Sequence, residues 1–147
     1  MDKGITATVW LHIDAPESEV WKALTDPVKI KKYMFGADVI SEWKPGSPVT
    51  IRGMWKGKPY EDKGSVLAVD PGRMLTYTHY SPLSGLPDVA ENYHTITIKL
   101  VSKGTETDLT LSQDNNATEE EKAHSEANWK MMMEGLKKVA EETPPGC

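Results

Sequence analysis

Residues 5–27 constrain the fold more than any other stretch of this chain. An alternating strand runs directly into a helix that opens at one proline and is interrupted by a second. Ile5, Ala7, Val9, Leu11 and Ile13 fall on one face, and Thr6, Thr8, Trp10 and His12 on the other, the pattern of a half-buried strand. Pro16 suits a first helical turn, where its missing N–H costs nothing. Val20, Ala23 and Leu24 give that helix an apolar stripe. Asp26-Pro27 ends it and starts a second short helix carrying Val28, Ile30 and Tyr33. Trp10 and Trp21 fall out of phase with the apolar stripes and are expected to pack between the first strand, the short helices and their neighbours.

Strand and turn signals then alternate. Gly36 to Trp43 reads as a short strand, Lys44-Pro45-Gly46-Ser47-Pro48 as a turn, and Val49 to Trp55 as a further strand. Lys56-Gly57-Lys58 is a tight connection to a strand over Tyr60–Val69, and Met74 to Tyr80 alternates after Asp70-Pro71-Gly72. Ser81 to Glu91 is the longest loop, read as a lid or rim. Asn92–Val101 and Glu106–Gln113 form a hairpin. Centring its turn on Lys103-Gly104 pairs Leu100 with Thr107, Ile98 with Leu109, Ile96 with Leu111 and His94 with Gln113.

The last element is a long helix. Thr118-Glu119-Glu120-Glu121 is a capping box with acidic residues where the helix dipole favours them. Ser125, Asn128, Trp129, Met132, Leu136, Val139 and Ala140 share one face. Of the run Met131-Met132-Met133, Met132 is expected to point inward. Thr143-Pro144-Pro145-Gly146 stops the helix at about 25 residues, or about 37 Å.

This order of elements predicts an α+β fold: a curved antiparallel sheet of about seven strands wrapped around a long C-terminal helix, with two short helices after strand 1. The 147 residues suit one domain spanning 1–147. A concave sheet gripping a straight helix does not close tightly everywhere, so the residues between them either fill a core or line a cavity. Trp43, Trp55, Tyr77, Trp129 and Met132 are expected in that layer, with Met131 and Met133 as further candidates. The tryptophans either line a ligand site or complete the core, and methionine adapts to varied apolar partners.

Composition removes several function classes. The net charge of −5 argues against nucleic acid and against anionic membrane surfaces. No apolar run approaches the roughly 18 residues that span a bilayer, and the N-terminus lacks the regions of a secretory signal. The single cysteine, Cys147, excludes an intrachain disulfide and fits a reducing cytoplasm; nothing near it would activate a thiol. Asn116-Ala117-Thr118 matches a glycosylation sequon but reads better as a loop and helix cap.

The opening Ile13-Asp14-Ala15-Pro16 with Val20 to Pro27 resembles the start of the SRPBCC superfamily, which includes the START and birch-pollen-allergen (Bet v) folds. The chain is closest to the branch named after the activator of the heat-shock-protein-90 ATPase. The resemblance rests on Trp43 before Pro45-Gly46, Met54-Trp55-Lys56-Gly57, Gly64-Ser65-Val66 leading to Asp70-Pro71, Leu75-Thr76-Tyr77, Thr107 to Leu111, and Asn128-Trp129, and it spans about residues 5–140. It implies the helix-grip fold with an apolar pocket between sheet and helix. The activators that name the branch carry an additional N-terminal domain, for which this chain leaves no room.

Chemistry-bearing motifs are sparse. The histidines are His12, His79, His94 and His124, and no HExxH, cysteine pair, P-loop, Rossmann glycine pattern or GxSxG elbow is present. His79, His94 and Gln113 form a polar row at one sheet end, which Ser125 approaches from the helix, with Asn128 a further candidate. Such a row orients a ligand's polar head, supplies an acid and base, or is solvated strand-end polarity with no role. The candidate ligand-binding set is therefore Trp43, Trp55, Tyr77, His79, His94, Ile96, Leu111, Gln113, Ser125, Trp129, Met132 and Leu136. No cofactor or metal is expected. The leading reading is non-catalytic binding of a hydrophobic or lipid-like small molecule. The alternatives are a chaperone-interaction protein and a cyclase- or dehydratase-like enzyme using Tyr77, His79 and His94. Exposed strand edges allow a monomer or a homodimer.

Overall fold

Seven strands form one antiparallel sheet in the order β1-β7-β6-β5-β4-β3-β2. This computed structural model describes residues 4–82 and 85–142; the side chain of Trp55, Cys147 and the Thr143–Gly146 stop signal lie outside the described residues. The elements run β1 (Ile5–Ile13), α1 (Glu17–Thr25), α2 (Pro27–Tyr33), β2 (Asp38–Ile40), β3 (Pro48–Trp55), β4 (Lys58–Asp70), β5 (Met74–His79), β6 (His94–Lys103), β7 (Glu106–Asn116) and α3 (Glu119–Glu142). The helix-grip architecture read from the sequence is therefore present, with the two short helices following strand 1.

Local chemistry sets the element ends. The Asp26 side chain accepts from the Val28 N–H at the start of α2, where Pro27 fills the first helical position. At α3, Thr118 Oγ1 accepts from the Glu121 N–H, and Glu121 Oε2 reaches back to accept from the Ala117 N–H. The strand over Gly36–Trp43 shrinks to the three residues of β2, because Gly36 and Trp43 both take positive φ and bend the chain at either side.

The β6–β7 hairpin differs from its expected register. Its two-residue turn is Gly104-Thr105, so Leu100 faces Leu109, Ile98 faces Leu111 and Ile96 faces Gln113. Gly104 at φ 77 supplies the left-handed first turn position that other residues resist. A shift of two preserves side-chain parity, so the same apolar residues still face inward.

The core lies between the inner sheet face and the three helices, with Ile13, Val20, Ile96, Leu109, Leu111 and Leu136 among its most buried side chains. Met133, not Met132, enters it; Met132 is half-buried and Met131 exposed. The helix rotates so that Met133, Leu136 and Ala140 form the stripe, at spacings of three and four. Trp10 is also corrected: it stands 63% exposed on the outer face of β1. Trp21 does pack against the core.

Helix α3 runs along the free edge of β1. Glu126 Oε2 accepts from the Thr8 N–H at 2.9 Å, Glu141 Oε2 accepts from the Asp14 N–H at 2.7 Å, and Lys137 Nζ donates to the His12 carbonyl at 3.1 Å. These contacts occupy backbone groups that an open edge would offer to another strand. Burial disfavours the charge on Glu141, but the Lys137 ammonium and the Asp14 N–H outweigh it and hold the carboxyl below its usual range.

On the outer face, His12 is clasped by Asp108 (Nδ1–Oδ1 2.7 Å) and Glu106 (Nε2–Oε1 2.5 Å). Hydrogen bonds to Asp108 and then Glu106 raise its pKa above the ordinary 6.5. A raised folded value means that this stabilisation is fully present below pH 6.5 and is lost as pH rises through the folded pKa. The melting-temperature advantage of the wild type over His12→Gln is therefore expected to be larger at pH 6 than at pH 9, at low salt. Equal differences at both pH values would show that the clasp does not depend on the imidazolium.

Candidate functional site

The inner layer does not close completely. Beneath Trp43 and Trp129 lies a small apolar hollow of about 30 Å³, room for about two water molecules. Trp43 Nε1 donates to the Thr25 carbonyl at 3.0 Å, and its ring meets Tyr77 edge-on at 6.5 Å. Next to this hollow opens a cleft of about 400 Å³. Helix α3 forms one side through His124, Asn128, Trp129 and Met132. The chain leaving α2 contributes Met34 and Phe35, and strands β3–β5 contribute Ile51, Tyr60, Asp62, Tyr77 and His79. Tyr77, Trp129, Met34 and Ile51 line both spaces, so the cleft adjoins the hollow.

Its polar centre is a pair of side chains on adjacent strands. His79 Nε2 lies 3.0 Å from Asp62 Oδ2. Asp62 is 8% exposed, and its second oxygen, Oδ1, has no hydrogen-bond partner among the described residues. Burial, and then the Asp62 carboxylate, hold the Tyr60 phenol above its usual range. No Lys or Arg side chain is among the residues lining the cleft.

Of the twelve residues expected from the sequence, Tyr77, His79, Trp129 and Met132 meet at the cleft. Trp43 lines only the hollow. Ile96, Leu111 and Leu136 are fully buried in the core. The Trp55 side chain lies outside the described residues. His94 sits directly opposite His79 in the sheet, yet its Nδ1 bonds the Asp114 carbonyl at 2.8 Å and it does not line the cleft. Gln113 and Ser125 belong to a bracket between β7 and α3. Gln113 Oε1 accepts from Trp129 Nε1 at 2.6 Å, and the Ser125 hydroxyl donates to Asn116 Oδ1 at 2.9 Å. The polar row thus divides: His79 faces the cleft, Gln113 and Ser125 belong to the bracket, and His94 is tied to the Asp114 carbonyl. Asn116 is wholly buried in that bracket, so the sequon asparagine has no free amide.

Sequence reasoning missed Asp62, Tyr60, Met34, Phe35, Ile51 and His124. The signal for Asp62 was its inward parity on β4, in step with Val66: an acid at such a position needs a partner. None of the described residues of the long loop lines this cleft. Among the described residues, Asp88, Val89, Ala90 and Tyr93 line a separate, more open groove on the outer sheet face with Ser65, Thr78 and Thr95. Tyr93 stacks on Tyr80 at 5.3 Å and donates to Asp88, which also contacts Lys63. No group of three or more His, Cys, Asp or Glu side chains among the described residues is placed to hold a metal ion. No described helix is long and apolar enough to cross a membrane.

Residues 14–141 match the family described as Activator of Hsp90 ATPase homolog 1-like protein. The chain belongs to this family. The solution structure of ChR145 from Cytophaga hutchinsonii is 50% identical, with a TM-score of 0.84 over 96% of this chain and 97% of that one. More distant neighbours share the family fold. CalU16 from Micromonospora echinospora is 22% identical, with a TM-score of 0.70 over 93% of this chain and 76% of that one. The solution structure of the Aha1 dimer from Colwellia psychrerythraea is 19% identical, with a TM-score of 0.73 over 94% and 97%. No curated protein matches the sequence.

Proposed function

We propose that this family member binds a hydrophobic small molecule in the cleft between α3 and strands β3–β5. The observation that carries the reading is the cleft itself. It offers about 400 Å³, adjoins the apolar hollow, and is walled by Tyr60, Tyr77, Trp129, Met34 and Met132 around one polar pair. Binding sites for small molecules are usually concave, mostly apolar and supplied with few polar groups. The neutral probe N-phenyl-1-naphthylamine is expected to bind at one molecule per chain and to be displaced by naphthalene. Asn128 is exposed at the cleft wall, so Asn128→Trp occludes the space at little cost to the fold. We expect at least a tenfold loss of probe affinity, with the melting temperature within about 4 °C of wild type. No uptake, or unchanged uptake in Asn128→Trp, would refute the assignment.

A second reading follows from the family description: interaction with an Hsp90-type chaperone. It predicts that the purified chain stimulates the chaperone's ATPase, and a rate unchanged at saturating chain would reject it.

A further inference from the structure

We propose that the Asp62–His79 pair selects the cleft's ligand: His79 accepts a hydrogen bond from the hydroxyl of a neutral aromatic molecule, and Asp62 turns away ligands bearing a carboxylate. The inference rests on the binding assignment above and adds the ligand's chemical class.

Three observations support it. First, Asp62 fixes the imidazole. A carboxylate only accepts, so the 3.0 Å contact puts the proton of the neutral ring on Nε2. Nδ1 is then a lone-pair acceptor, and it has no hydrogen-bond partner among the described residues. Asp62 is thus a positioning residue and His79 the contact. Second, the Asp62 charge is buried and incompletely satisfied. It is 8% exposed, and Oδ1 lacks a hydrogen-bond partner among the described residues. An anionic ligand head beside it would meet like charge in a low-dielectric wall, with no Lys or Arg lining the cleft to offset it. A fatty-acid-type head group is therefore disfavoured. Third, Tyr60, Tyr77 and Trp129 present ring surfaces and Met132 a thioether, which favour an aromatic body over a flexible alkyl chain.

The test compares three probes of one size: naphthalene, 2-naphthol and 2-naphthoate, titrated calorimetrically into the full chain at pH 7.5. We expect 2-naphthol to bind at least about threefold more tightly than naphthalene and at least about tenfold more tightly than 2-naphthoate. In His79→Phe the naphthol-to-naphthalene affinity ratio should fall to about one. In Asp62→Asn the discrimination against naphthoate should shrink about tenfold, a change in ligand ranking that a merely structural role would not produce. In the wild type, the ¹⁵N resonance of His79 Nδ1 should move on adding 2-naphthol and stay in place with naphthalene, a readout that stands even where a variant fails to fold. Equal binding of all three probes, or an unmoved Nδ1 resonance with bound naphthol, overturns the selection while leaving the cleft assignment intact. Failure of N-phenyl-1-naphthylamine and of every naphthalene probe to bind overturns both.

Discussion

Gly64→Ala is expected to cost this fold about 3 kcal/mol or more, and to separate Asp62 from His79 in whatever folded population remains. A Cβ at residue 64 would lie 1.7 Å from the Thr78 carbonyl oxygen and 2.5 Å from its carbon. Both atoms are backbone, so no side-chain rotation relieves the overlap. The strands cannot part easily either. Lys63 and Tyr80 exchange two backbone hydrogen bonds on one side of the contact, and the Ser65 N–H donates to Thr78 Oγ1 on the other. Gly64 therefore permits the close approach of β4 and β5 that brings Asp62, two residues before it, onto His79, the residue after Thr78. Gly72→Ala is the matching control. Its φ of +84 is strained for alanine, but a Cβ there meets open space, so a loss of only about 1 kcal/mol is expected. Urea denaturation of the two variants measures the contrast. A Gly64→Ala loss no larger than that of Gly72→Ala would show that the strands separate at little cost.

That close approach also shows where sequence reasoning stops. Alternation in β1 and β5 reports which side chains share a face, and parity survived even the two-residue slip of the β6–β7 hairpin, because strand faces repeat every two residues. Parity also placed Trp10 opposite the apolar face of β1, and the exposed ring follows that parity rather than the expected packing between neighbouring elements. Helical spacing is weaker within Met131-Met132-Met133. Met132 and Met133 both sit at helical distance from Leu136, and only the lean of α3 onto β1 selects Met133 for the core, leaving Met132 for the cleft. The Asp62–His79 pair was half legible. His79 stood out as an inward polar residue, but its partner lies on the neighbouring strand across a turn. Pairing them requires the β4–β5 register, which is interrupted between Val66 and Ala68. No local pattern carries that irregularity, and with it missing, His94 and Gln113 were the nearest polar residues to group with His79.

The bracket formed by Gln113, Asn116 and Ser125 carries the other large effect. Asn116→Ala is expected to destabilise the protein by about 3 kcal/mol. The side chain is wholly buried. Its Nδ2 donates to the Ile5 carbonyl at 2.9 Å and to the Gln113 carbonyl at 3.0 Å, while Oδ1 accepts from the Ser125 hydroxyl at 2.9 Å. Alanine leaves two carbonyls and a hydroxyl without these partners in a closed space, where each unmet group costs about 1 kcal/mol or more. Ser125→Ala removes the bond to Asn116 Oδ1 and the longer one accepted from Gln113 Nε2 at 3.3 Å; it is expected to cost about 1 kcal/mol, and the double variant should lose less than the sum, since both act on the Asn116–Ser125 contact. The loss also reaches the cleft. Asn116 supports Gln113, and Gln113 Oε1 holds Trp129 Nε1 at 2.6 Å, fixing the ring that walls both the hollow and the cleft. Asn116→Ala should therefore weaken N-phenyl-1-naphthylamine binding below the midpoint of unfolding, with the Trp129 indole N–H resonance broadened or shifted. Undiminished probe affinity beside a large stability loss would separate the two roles and make the bracket a fold element alone.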